Sequence, residues 1–228
     1  MTTILVTGSN KGVGLEITKA LSRRGDMLIA CCRRPAEAHA LLELEGDIKV
    51  EEVAIGEDKS VLDLAKRLKG KAIDVLINNA GTMGPDPERQ STLDMDFQGW
   101  ADAFNINSMG PVRMMQAVMP NLCLAASPKI MTVTSQMGAL SFDMTATNAY
   151  CASKAAVNKF MRLASIDLKP KGIAVGLVHP GWVRTDMGGP NADLSAEESA
   201  KGCVEVIDAL NIENTGGFWK WNSEIHEW

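Results

Sequence analysis

Seven short strand-like stretches, most of them apolar nearly end to end, alternate with longer segments of helical spacing. The strand-like runs are ILVT (4–7), MLIACC (27–32), KVEEVAI (49–55), IDVLIN (73–78), KIMTVT (129–134), IAVGLVH (173–179) and FWKW (218–221). A strand exposed on one face alternates apolar and polar residues. Strands that are apolar throughout are covered on both faces, as in a parallel sheet with helical crossovers. Helical patterns fill the intervals near 12–24, 58–69, 94–119, 148–168 and 195–210, with a weaker one near 35–44. The alternation implies an α/β domain with a doubly wound parallel sheet of about seven strands and helices on both faces.

Neither an internal repeat nor a linker divides the 228 residues, so residues 1–228 are expected to form one domain, with a substrate loop at about 185–200. With 46% hydrophobic and 22% charged residues the chain is too apolar for disorder. Its net charge of −5 lacks long like-charge blocks, which argues against nucleic acid or anionic membrane as a partner. No apolar run approaches the roughly 20 residues of a membrane span. A strand begins almost at once without a basic leader, so a cytoplasmic location is expected. The five scattered cysteines (31, 32, 123, 151 and 203) fit a reducing compartment better than disulfides or a metal site. His39, His179 and His226 stand far apart, and no metal ligation is expected of them.

TGSNKGVG (7–14) joins the first strand to the first helix. Gly8 suits a tight turn, Gly12 a close approach of backbone to a pyrophosphate, and Gly14 close packing of helix on strand. The amides opening the helix then face phosphate. The second strand bears on which dinucleotide binds. A site for NAD usually ends that strand with a carboxylate for the ribose hydroxyls. Here it ends Cys31-Cys32-Arg33-Arg34, and Asp26 lies at the wrong end. A guanidinium grips a 2′-phosphate where a carboxylate would repel it. Arg33, with Lys11 inside the glycine turn, therefore points to NADP(H); Arg34 reads equally well as a solvated charge.

Tyr150 is the only tyrosine, and Lys154 follows it by one helical turn on the same face. A free phenol titrates near ~10, and a neighbouring cation favours its ionised form, giving an acid usable near neutral pH. Asn107 precedes Pro111 by four residues inside a helical segment. Proline lacks an N–H, so the Asn107 carbonyl is expected to lose its helical partner, kink the helix and leave an acceptor for water. An Asn on a helix broken for packing reasons explains the same pattern equally well. Ser195 and Glu198 form a capping-box pattern, and Gly25 after Arg23 and Arg24 suits a helix end.

TGSNKGVG, NNAG (78–81), Ser135 followed by Gly138, YCASK (150–154) and PGWVRT (180–185), in this order, resemble the short-chain dehydrogenase/reductase family over essentially the whole chain. The small size, the GGPNADLS loop and the GGFWKW ending are similar to the C-factor-like carbonyl reductases within it. The resemblance implies a Rossmann fold and a catalytic set of Asn107, Ser135, Tyr150 and Lys154. Tyr150 is then the acid/base and Ser135 bonds the substrate oxygen. Lys154 holds the nicotinamide ribose and depresses the Tyr150 pKa, and Asn107 supports a relay water. It implies cofactor contacts from Gly8, Asn10, Lys11, Gly12, Val13, Gly14, Arg33, Asn79, Ala80, Gly81, Tyr150, Lys154, Pro180, Gly181, Val183 and Thr185. Asn78 and Asn79 read equally as supports of the sheet and turn, and Ala54 replaces the acid that often touches adenine.

Substrate contacts are expected from Ser135, Met137, Tyr150 and Trp182, with Met83, Met144 and Met187 flanking the same loops. The expected activity is reversible NADPH-dependent reduction of a ketone or aldehyde. A 3-oxoacyl-thioester reductase and a nucleotide-binding signalling protein on the same fold are the alternatives. The 148–168 helix is apolar nearly all round, with one polar arc of Lys154, Asn158, Arg162, Ser165 and Lys169. Its surplus apolar face implies a homodimer or homotetramer.

Overall fold

The computed structural model describes residues 2–145 and 147–228. The seven expected strands all form: β1 (Thr3–Thr7), β2 (Met27–Cys32), β3 (Ile48–Glu52), β4 (Val75–Asn78), β5 (Lys129–Val133), β6 (Ala174–His179) and β7 (Phe218–Lys220). They build one parallel sheet in the order β3-β2-β1-β4-β5-β6-β7. The order reverses between β1 and β4, and such a switch point opens a crevice at the carboxyl ends of the strands.

Successive residues of each strand feed opposite faces. Leu5 joins a core beneath α3 (Asp58–Arg67), α5 (Gly110–Ala117) and α7 (Asn148–Leu168). Ile4 and Val6 join the core beneath α1 (Gly12–Arg23) and α8 (Ala196–Ala209). This is why the inner strands read apolar without alternation, whereas the edge strand β3 keeps charged, exposed positions. The weak pattern near 35–44 is a 3₁₀ turn, Pro35–Glu37, followed by the short α2 (His39–Leu42).

The expected helix at 94–119 is not continuous. It runs as α4 (Phe97–Phe104), a π-helical turn (Asn105–Met109) and α5, with the short α6 (Met119–Leu122) beyond. Pro111 cannot donate, and the Gly110 amide reaches back five residues to the Asn105 carbonyl. Ser195 and Glu198 close a capping box at the start of α8, so the loop after Thr185 ends at Leu194. Gly25 (φ +86°) returns its amide to Ser22 after α1.

Candidate active site

Two segments predicted to hold a cofactor are tied together across the switch point. The Thr7 hydroxyl accepts from the Asn79 and Ala80 amides at 3.0 and 3.1 Å, and the Asn79 side chain donates to the Thr7 and Gly8 carbonyls. A Cβ on Gly14 would collide with the Gly8 carbonyl, so only glycine lets α1 start this close to the turn. The N-cap position, Lys11, supplies no side-chain cap to α1. Its first amides are the kind of donor set that takes phosphate. Gly12 has φ +56°, and a Cβ there would stand 3.3 Å from the Thr185 methyl, so the turn faces the loop after Pro180. These residues fit a dinucleotide.

That loop is braced from within. Gly181 has φ +87°, Val183 is buried and paired with Leu194, and the Thr185 hydroxyl accepts from the Gly188 amide. The Pro180 carbonyl accepts from Ser199 at 2.6 Å, and the Trp182 indole donates to Gly188 at 2.8 Å. Asn10 and Arg33 are exposed and Val13 is half-buried. Arg33 makes no ion pair among the described residues, whereas Arg34 pairs with Glu37 and Lys11 with Asp186 at 2.8 Å.

The four predicted catalytic residues are all buried, and a hydrogen-bond network links Asn107 to the Tyr150 backbone. Asn107 donates to the Thr82 carbonyl and accepts from its amide, both at 2.8 Å, and donates to the Ser153 hydroxyl at 3.0 Å. Ser153 in turn donates to the Tyr150 carbonyl at 2.7 Å. Lys154 donates to the Val133 carbonyl at 3.2 Å, and its ammonium lies 5.7 Å from the Tyr150 ring centre. Gly81 stands between Asn107 and Lys154, where a Cβ would approach both within 3.6 Å. Ser135 lies two residues beyond β5 and accepts from the Met137 amide at 3.2 Å. Gly138 then packs directly on the Lys154 backbone, a contact no side chain could make, and its carbonyl accepts from Asn158.

Burial dominates the electrostatics here. It pushes the Tyr150 phenol up to about 12, with the Ser135 side chain pulling weakly the other way. It pushes the Lys154 ammonium down to about 8. The expected depression of the Tyr150 pKa by Lys154 is absent from the chain's own environment, where lost hydration raises it. The phenol keeps its proton throughout the neutral range. Among the described residues, no three His, Cys, Asp or Glu side chains are grouped to hold a metal.

Gln90 contributes to this site without any signal in the sequence. It is fully buried, its amide is fixed by the Pro85 and Met83 carbonyls, and its Oε1 accepts from the Tyr150 amide. Its carbonyl also accepts from the Asn148 amide. Because Thr147 offers no side-chain cap, Gln90 takes over the capping of the helix that carries Tyr150. Around the mouth, Leu140, Phe142, Met144, Trp182 and Met187 are exposed, while Met83 and Met137 are half-buried.

Residues 2–195 match the family model described as short chain dehydrogenase. The chain belongs to the short-chain dehydrogenase family. It is thus a member of an oxidoreductase family, and its fold is that of the family throughout. It is 43% identical over 157 residues to the C-signal of Myxococcus xanthus, covering 68% of this chain and 93% of that one. It is 34% identical to the 1-hydroxy-2-glutathionyl-2-methyl-3-butene dehydrogenase of a Rhodococcus species, covering both chains fully. The NADPH-bound carbonyl reductase from chicken fatty liver superimposes with a TM-score of 0.90 at 27% identity, over 100% of this chain and 99% of that one.

Proposed function

We propose that this short-chain dehydrogenase reduces ketone or aldehyde carbonyls to alcohols with NADPH, reversibly, with Tyr150 as the proton donor. The observation that carries the proposal is the single buried cluster of Asn107, Ser135, Tyr150 and Lys154 beside a glycine turn fitted for a dinucleotide. Likeness to an NADPH-bound carbonyl reductase supports it. Gly8, Asn10, Gly12, Val13, Gly14, Asn79, Ala80 and Gly81 would hold the cofactor along the turn and β4. Pro180, Gly181, Val183 and Thr185 would hold its nicotinamide end, with Lys11 and Arg33 at the 2′-phosphate. When bound, the reduced nicotinamide supplies hydride.

The Ser135 hydroxyl orients the carbonyl oxygen, and the Tyr150 O–H bond breaks to protonate it as the alcohol forms. A phenol held protonated by burial suits this direction. Lys154 balances the phenolate left behind, and the Asn107 network keeps the helix start and its water path in place. Met137 and Trp182 would line the substrate side.

The test follows NADPH and NADH oxidation against ketones, aldehydes and a 3-oxoacyl thioester, with Tyr150→Phe and Arg33→Ala alongside. Tyr150→Phe should cost about 10²–10⁴-fold in kcat, and Arg33→Ala should raise KM for NADPH about tenfold while sparing NADH. Full activity in Tyr150→Phe, or wild-type preference for NADH, would sink the proposal. Likeness to the C-signal favours a second reading, a nucleotide-binding signalling protein, which predicts cofactor binding without turnover.

The partner we infer is a second copy of the chain. Lys154, Asn158 and Ser165 of the α7 polar arc are turned inward, whereas Phe160, Leu163 and Ile166 are exposed, as are Phe97 and Met109 on the neighbouring helical segment. Light scattering should give a dimer or tetramer mass, and a monomer at working concentration would overturn this inference.

A further inference from the structure

The last residues of the chain return to the substrate side of the site. After β7 the backbone reverses: Lys220 pairs with Glu224, Ile225 bridges to Trp219, and the His226 amide donates to the Phe218 carbonyl at 2.8 Å. The His226 ring stacks on Phe218 with centres 4.5 Å apart. Trp228 packs against the same Phe218 at 5.5 Å, and the Arg162 guanidinium of α7 lies 5.7 Å over its ring. Arg162 also donates to the Gly216 carbonyl, which fastens α7 to the approach of β7. Finally, the Trp228 carbonyl accepts from the Ser141 amide at 3.3 Å. Ser141 lies on the segment that leaves Ser135 and Gly138 and carries Phe142 and Met144 on its way to α7.

We propose that Trp228 is a positioning residue for substrate. It clamps residues 139–142 from outside, and so sets how far the apolar side chains of that segment stand from Tyr150. Two anchors hold the clamp, the Phe218 ring on β7 and the Arg162 cation on α7, both on rigid elements. Among the described residues the segment has little else to hold it: Ser141, Phe142 and Met144 are exposed, and residues 140–145 make few backbone bonds. Fixing it would preorganise the pocket for a bulky apolar carbonyl and matter little to a small one. Cofactor binding should be indifferent, because no residue of the clamp belongs to the glycine turn or to the 180–185 loop.

This inference rests on the carbonyl-reductase reading, so one readout must need no turnover. Hydrogen exchange of the Ser141 amide in Trp228→Ala should rise about tenfold or more, since its acceptor is freed to move. With NADPH, an aromatic ketone should show KM raised about 5- to 20-fold and kcat changed less than about threefold, the signature of lost binding and not lost chemistry. A small aldehyde should show little change, and Trp228→Phe should restore most of the ketone KM by keeping a ring on Phe218 and under Arg162. If Trp228→Ala does not fold, Trp228→Leu carries the same comparison.

Unchanged Ser141 exchange would overturn the clamp even if the wild type turns over ketones. An equal loss of NADPH affinity and of both substrates' KM would overturn it too, since the residue would then be acting on general stability. Absence of carbonyl reduction by the wild type, with faster Ser141 exchange in the variant, would instead remove the function while leaving the clamp in place.

Discussion

The two sides of the candidate site handle charge in opposite ways. On the β1–β3 side, Lys11 and Arg33 stand in solvent at the mouth of the glycine turn, and backbone amides and glycines shape the rest. On the β4–β7 side, three ionisable groups near the strand ends are inside: Tyr150, Lys154 and His179 are each at least nine-tenths buried. Exposed cations keep their hydration until a charged ligand arrives and are screened by salt. Buried groups have their pKa values moved by lost hydration, and respond to pH. One side is thus built for binding and the other for proton chemistry, and each is best probed with its own variable.

On the buried side, the contrast is tested first at a residue outside the catalytic set. His179 ends β6 with its Nδ1 unpartnered among the described residues, and His226 meets it edge-on at 5.8 Å. Burial, then His226 and Lys220, push its pKa down to about 3. The folded state therefore keeps His179 neutral, while the unfolded chain takes up a proton below about 6.5. Its stability contribution is complete above pH 6.5 and is lost as pH falls toward 3. The slope approaches about 1.4 kcal/mol per pH unit within that window. Urea midpoints at pH 7, 6 and 5 should fall for the wild type, and His179→Gln should flatten the curve whatever its stability at pH 7. Parallel curves would show that burial of this histidine is not what makes the fold sensitive to acid.

This histidine also marks the limit of what the sequence reveals. Every strand was legible within about three residues at either end, because apolar runs and glycine-rich ends are local signals. The capping box at Ser195 and the break before Pro111 were legible for the same reason. The form of the break was not: the π-turn holds Asn107 through bonds to Thr82 and Ser153, residues 25 and 46 positions away. Gln90 left no trace, since a lone glutamine in a loop resembles any solvated one until Tyr150 is seen to lean on it. His179 and His226 are 47 positions apart, and only the reversal after β7 brings them together. The expected effect of Lys154 on Tyr150 failed because spacing shows which groups are near, whereas burial decides which effect wins.

The smallest expected effect tests the exposed side, through the one ion pair that, among the described residues, joins the glycine turn to the loop after Pro180. Lys11 from the glycine turn meets Asp186, the residue after Thr185, at 2.8 Å, with both side chains mostly in solvent. Lys11 holds the Asp186 carboxyl below its usual range by hydrogen bond and charge. If Lys11 serves the 2′-phosphate, it must leave this carboxylate to do so, and exposed pairs are weak enough to exchange. Asp186→Asn removes the competitor without removing the cation. NADPH affinity should then tighten about two- to threefold at low salt, with NADH nearly unchanged, and the gain should fade as salt screens Lys11. Titration calorimetry or cofactor fluorescence at two ionic strengths measures it. Weaker NADPH binding in this variant would break the comparison, because Lys11 and Asp186 would then be a clasp across the cleft and not a cation awaiting a phosphate.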